Sequence, residues 1–269
     1  MKKNAARRKK SRQTHYWHRI TWIMAVVTVL AGCGYLIFPV NMPWAHVDAA
    51  SETSDRSVIL DIGHTLAHPG VMSARGVPEF EFNRRLVGVT AGVLKGLSYQ
   101  TSVVNDDGLI GQLSDRVRDT EGKSLFLSIH HDSVQEQYLS KWKINGISHA
   151  YSDRYKGYSV FISHLNPFPA ESLRCASAIG KALRVSGFKP SRHHAEAIAG
   201  ENKAYADESN GVHYYDNLVV LKKAHCPAVL LEAGVIVNRG EEVKLGQTRT
   251  QQAIARAIAE GLNSCLDDG

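Results

Sequence analysis

Cysteine is scarce in this chain, with four in 269 residues. No CxxC pair occurs, which argues against a disulfide scaffold, a structural zinc knuckle and a thiol redox centre. Cys33 lies inside a long apolar run. Cys175, Cys226 and Cys265 allow one disulfide in an oxidising compartment and leave one thiol over. There is no GxSxG elbow, so serine-hydrolase chemistry lacks its usual nucleophile. Low-complexity and collagen-like stretches are also missing, and a hydrophobic content of 43% excludes a disordered chain. Acidic side chains are fewer than basic ones, 26 against 32, for a formal charge of +6. The imbalance is local. Residues 1–19 hold eight basic side chains and no acid, and the other 250 residues carry 24 basic and 26 acidic groups. The excess therefore gives no footing to nucleic acid, and no nucleic-acid partner is expected.

Residues 20–38 (ITWIMAVVTVLAGCGYLIF) contain no charge. At 1.5 Å per residue a helix of this length spans roughly 28 Å, close to the hydrocarbon core of about 30 Å. The basic arm 1–19 should stay in the cytoplasm and place the rest of the chain across the inner membrane. Three fates are open: a retained anchor, a signal cleaved after the small residues near Ala49, or a lipoprotein at Cys33 in the Leu30-Ala31-Gly32-Cys33 box. Each puts the remainder in the cell envelope, in the periplasm or outside the membrane. Residues 39–56 read as a polar linker and 57–269 as one folded domain.

Within that domain the expected strands are 57–62, 101–104, 124–130, 158–163, 218–221 and 228–232. Expected helices are 79–97, with Phe82, Leu86, Val89 and Val93 on one stripe, then 109–118, 170–185 and 251–262. Continuous apolar strands separated by helices predict an α/β fold with a mostly parallel, twisted sheet covered on both faces. In such sheets ligands gather beyond the carboxyl ends of the strands. His64 comes directly after the first strand, His130 and His131 end the third, and Glu232 ends the last. Alternation along an extended strand sends His130 and His131 to opposite faces, so only one of them can face a shared ion. Glu79 and Glu81 open the long helix and point in different directions; periodicity does not choose between them. A carboxylate such as Glu232 at the end of an apolar strand is costly unless paired or near a cation.

Four stretches in order, VILDIGHTLAHPG (58–70), PEFEFNRRL (78–86), FLSIHHDS (126–133) and AVLLEAGVIVN (228–238), resemble the zinc-dependent N-acetylmuramoyl-L-alanine amidases of bacterial cell-wall hydrolysis. The resemblance covers about 57–262. It implies metal ligands at His64, at Glu79 (the acid with an Asn four residues on, Asn83) and at His130, with Glu232 as the catalytic base. It also touches Arg116, for which an anchoring role between loops is at least as natural. The same likeness implies one Zn2+ per chain and peptidoglycan or muropeptides as substrate. Several positions depart from the family pattern: Thr65 and Leu66 for glycines, His68 for an acid, Asp132 for Asn and Val235 for an aromatic. No ligand or base is lost, but Thr65, His68 and Asp132 are near enough to alter substrate preference.

Two stretches, 134–156 and 191–215, read as additions around the cleft, without a steady period. They carry Trp142, His193, His194, His213, Tyr214 and Tyr215; three readings stay open, in which aromatics such as Trp142 and Tyr215 pack on glycan or peptide, or anchor long loops, or the stretches cover the site and regulate entry, alone or through a regulatory protein. The expected reaction is hydrolysis of the lactyl–L-alanine amide. A zinc peptidase cutting within stem peptides, and a non-catalytic wall-binding protein of the same fold, are the competing expectations.

Overall fold

The computed structural model describes residues 56–267. The basic arm and the apolar segment 20–38 lie outside the described residues. Among those described, no helix is long and apolar enough to cross a membrane.

The described residues form nine strands and five α-helices: β1 (Ser57–Ile62), α1 (Glu79–Gly96), β2 (Gln100–Val104), β3 (Leu125–Asp132), β4 (Ser140–Ile144), β5 (Ile147–Tyr151), β6 (Ser159–Ile162), α2 (Pro169–Val185), β7 (Tyr205–Asp207), β8 (Val212–Tyr214), α3 (Val219–Lys223), β9 (Ala228–Val235), α4 (Arg239–Leu245) and α5 (Thr248–Asp267). Seven strands make one sheet in the order β2-β1-β3-β9-β6-β8-β7, and β4 and β5 form a separate hairpin. The half β2-β1-β3-β9 is wholly parallel. Strand β6 runs antiparallel to β9, β8 parallel to β6, and β7 antiparallel to β8. The sheet is therefore mostly parallel, as expected, but its far half is mixed. The reversal has a simple cause. Between β3 and β6 the chain forms a hairpin instead of a crossover helix, so β6 starts at the end of the sheet where β3 stopped.

Strand side chains alternate between two buried layers, which is why the strands read as unbroken apolar runs. Val58, Leu60, Ile62, Leu127, Ile129, Val229 and Leu231 pack with α1, α2 and α5. Ile59, Phe126, Phe161 and Leu230 face the opposite side with Val220, Leu221 and Val117. Three long helices thus cover one face, whereas a five-residue helix and loops cover the other. Cys175 on α2 and Cys265 on α5 are joined by a disulfide across a sequence separation of 90, and Cys226 is buried and free.

Two local expectations need correction, and two stretches take a form that the sequence left open. Segment 218–221 is not a strand; α3 occupies it, because a four-residue apolar run has no periodicity to tell helix from strand. Segment 109–118 contains only a short 3-10 turn, Asp115–Val117, and α4 was not foreseen. The stretch 134–156 holds the β4–β5 hairpin, turned by Asn145 and Gly146, both at positive φ, a pairing that favours a two-residue turn. Trp142 in β4 donates its indole N–H to the Ala74 carbonyl at 2.7 Å and carries Arg75 and Arg239 against its ring. The stretch 191–215 is built into the sheet through β7 and β8.

Candidate metal centre

The parallel half brings the carboxyl ends of β1, β3 and β9 to one end of the sheet. In register, His130 of β3 lies beside Glu232 of β9. His64, just past β1, adopts φ 70, the left-handed region that a non-glycine residue enters at a cost. What holds it there is a set of backbone anchors. Arg116, buried, donates to the carbonyls of Ile62 (2.8 Å), His64 (2.5 Å) and Ile110 (3.1 Å), and Asn105 donates to Ile62 (2.8 Å) and His64 (2.7 Å). Arg116 therefore anchors the strand exit. Beneath it, fully buried Asp61 accepts from Ser128 at 2.7 Å and faces the guanidinium at 3.4 Å. Burial raises its pKa more than Arg116 and Ser128 lower it.

Glu79, at the first turn of α1, is buried at 3% exposure, while Glu81 pairs at the surface with Arg84. The helix start thus turns Glu79, and not Glu81, toward the two imidazoles. Glu79 Oε2 lies 2.9 Å from His64 Nε2 and its Oε1 lies 3.2 Å from His130 Nδ1. One donor atom from each of the three residues falls within 4.8 Å of the others. Burial alone would raise the Glu79 pKa, but the His130 and His64 imidazoles hold the carboxyl well below its ordinary range.

The carboxylate is also fixed from behind. It accepts from Asn83 Nδ2 (3.2 Å) and from the backbone N–H of His131 (3.2 Å) and Val71 (3.3 Å). Asn83 donates as well to the Gly63 carbonyl, so its Oδ1 is left to accept from His131 Nδ1 at 2.8 Å. His131 points to the helix face, as alternation requires. Its imidazole is buried, its pKa falls to about 4, mainly through burial, and it stays neutral. Asn83 and His131 together orient Glu79, a supporting arrangement typical of metal ligands.

Two glycines allow the cluster to close. A Cβ on Gly63 would stand 2.4 Å from the His130 ring, and one on Gly70, at φ 75, would stand 2.4 Å from Glu79 Oε2. Gly70 also lies in the left-handed region, so a side chain there meets both strain and collision.

Glu232 sits half-buried on β9. Its Oε2 is buried without a hydrogen-bond partner. Burial, with the Asp132 and Glu79 carboxylates nearby, raises its pKa well above the usual range. The donor set of two imidazoles and a carboxylate is the type that holds catalytic zinc with one position open. A buried carboxylate oxygen that no protein group satisfies stands in the same region. The residues present fit a zinc ion.

The matching residues span 58–264, the extent of agreement with the family model described as N-acetylmuramoyl-L-alanine amidase. The chain belongs to this amidase family. Solved structures of amidases agree with the fold. The N-acetylmuramyl-L-alanine amidase Ami1 from Mycobacterium smegmatis superposes with a TM-score of 0.63 at 20% identity, covering 79% of this chain and 97% of that one. An N-acetylmuramoyl-L-alanine amidase from Clostridium difficile 630 gives 0.60 at 19%, over 78% and 96%. The catalytic domain of CwlV from Bacillus (Paenibacillus) polymyxa var. colistinus gives 0.59 at 23%, over 78% and 98%. No curated protein matches the sequence.

The departures from the amidase pattern have separate fates. Thr65 is buried and its hydroxyl accepts the His68 backbone N–H at 2.9 Å, closing the turn, while the His68 side chain is exposed. Asp132 pairs with His193 and His194 from the 191–215 stretch. That trio was not foreseen. His193 and His194 stand out in the sequence only as a pair, and nothing in their spacing points to Asp132.

Proposed function

We propose that this amidase hydrolyses the amide between the lactyl group of N-acetylmuramic acid and L-alanine of the stem peptide. His64, Glu79 and His130 hold one Zn2+ and Glu232 is the general base. The observation that carries this reading is the convergence of three donor atoms from β1, α1 and β3 in the region of Glu232. When bound, the zinc polarises the scissile carbonyl and lowers the pKa of water, in favourable sites to about 7.

The protein's own groups do the rest. Glu232 accepts a proton from the attacking water and returns it to the nitrogen of the departing L-alanine, so the amine leaves neutral. The Asn83–His131 pair keeps Glu79 oriented, and the Arg116 and Asn105 contacts keep His64 at the strand exit. The products are a glycan strand with a free lactyl carboxylate and a released stem peptide.

The N-terminal arrangement belongs to the same proposal: 1–19 as a cytoplasmic arm, 20–38 as an anchor or signal segment in the inner membrane, 39–56 as a linker and 57–269 as the catalytic domain. The uncharged run behind a basic arm supports export, and the Cys175–Cys265 disulfide suits an oxidising compartment such as the periplasm. The substrate would then be met in the cell envelope. The β4–β5 hairpin remains a surface where entry could be regulated by a partner protein.

The test is digestion of purified peptidoglycan by the zinc-loaded full-length protein, with mass analysis of products. Free stem peptides beginning with alanine are expected. Shortened peptides still attached to muramic acid would replace this reading with a zinc peptidase.

A further inference from the structure

A second cluster of potential ligands lies at the end of the same strand. Asp132 closes β3 two residues beyond His130, and His193 and His194 come from a 3-10 turn at His193–Ala195. All three side chains are buried or nearly so: His193 is 2% exposed, His194 7%, and the Asp132 side chain 13%. His193 Nε2 lies 3.0 Å and His194 Nε2 lies 2.8 Å from the same oxygen, Asp132 Oδ2. The donor atoms of the trio fall within 4.8 Å of one another.

These distances repeat those of the first cluster, where the imidazole nitrogens stand 2.9 and 3.2 Å from Glu79. The outer nitrogens are held as well. His194 Nδ1 is 2.8 Å from Glu201 Oε2, and Glu201 is in turn fixed by Gln135 and Lys203. His193 Nδ1 is 2.7 Å from Ser191 Oγ. A carboxylate or hydroxyl on the far nitrogen is the support that ligating histidines usually receive.

The decisive detail is His193 Nε2. It is buried and makes no hydrogen bond, although a carboxylate oxygen is only 3.0 Å away. A nitrogen this close to a carboxylate but out of line with it gains charge attraction without an aligned hydrogen bond, which leaves its bonding capacity poorly used in a buried site. Pointing with its neighbours at a shared cation would use that capacity.

We propose that Asp132, His193 and His194 hold a second divalent cation. Two imidazoles and a carboxylate select a borderline metal of the zinc class over magnesium or calcium. The ion clasps the stretch 191–215 onto the strand that presents His130, so that the β8–β7 edge and the first cluster share a rigid support. Without it, His194 lies between two carboxylates. Burial lowers its pKa, but Asp132 and Glu201 outweigh that and raise it to about 9.

This site uses none of the residues assigned to the first, so the two can fail separately. The experiment is cobalt titration of the metal-free full-length protein, read by visible absorption and by bound metal after removal of excess. The wild type should take up two equivalents. His64→Ala should keep one, the double variant His193→Ala/His194→Ala should keep one, and the triple variant none. Saturation of the wild type at one equivalent that disappears in His64→Ala would overturn the second site, as would an undiminished second equivalent in the double variant. Loss of one equivalent in the double variant, with none lost in His64→Ala, would overturn the first site and leave the second standing. Should the double variant not fold, the wild-type count and the metal retained by His64→Ala still decide.

Discussion

The two halves of the sheet handle their strand ends differently. In β2-β1-β3-β9 all strands point one way, so His64 just past β1, and His130 and Glu232 two and three residues before the ends of β3 and β9, collect at one place; both strands run on further than the expected ends at His130 and Glu232. In β6-β8-β7 the directions are mixed, and the histidines reach Asp132 from a loop instead. Parallel order makes a site from positions that can be named in advance; mixed order makes contacts that depend on where a loop is laid down. The first half lies under α1, whose opening turn supplies Glu79. The second lies against α2, tied to α5 by the Cys175–Cys265 disulfide.

Separate perturbations should keep these roles apart. The largest stability effect is expected from the disulfide: a loop closed across 90 positions is worth about 4.6 kcal/mol by the chain-entropy argument. Cys175→Ser/Cys265→Ser should lower denaturant stability by that order while turnover of the folded protein at 25 °C stays near normal. A large loss of turnover in folded protein would mean that the α2–α5 clamp reaches the site and that the halves are not independent.

A smaller and more local effect is expected at Asn83. Asn83→Ala leaves His131 Nδ1 without its acceptor and Glu79 without one of its supports. Zinc affinity should fall roughly 10- to 100-fold, as for other supporting groups behind metal ligands. Competition with a chelator would measure this, and unchanged affinity would show that the backbone donors from His131 and Val71 suffice.

Much of the first half was legible because simple rules apply there. Continuous apolar runs marked β1, β3 and β9, a 3.6-residue stripe marked α1, and polar residues at strand exits marked the cluster. Alternation correctly separated His130 from His131. The family resemblance was needed to favour Glu79 over Glu81, since both acids lie in the first turn; burial of one and a surface ion pair on the other explain the difference. The second half was less legible for physical reasons. Strands β7 and β8 have three residues each, too few to show a period, and α3 lies in an apolar run that reads equally as a strand. The β4–β5 turn did carry a usable signal in Asn145-Gly146, which the mixed aromatic and charged flanks hid. Asp132 lies 62 positions from His194, and no local pattern connects residues that far apart.

The central claim is that three side chains hold an ion and Glu232 moves the proton. Measuring zinc content and peptidoglycan turnover together in Glu232→Gln tests it most directly. Turnover should fall roughly 10²- to 10⁴-fold, the usual contribution of a general base, while the zinc bound at the first cluster remains at the wild-type level. Near-normal turnover with zinc in place would contradict the account.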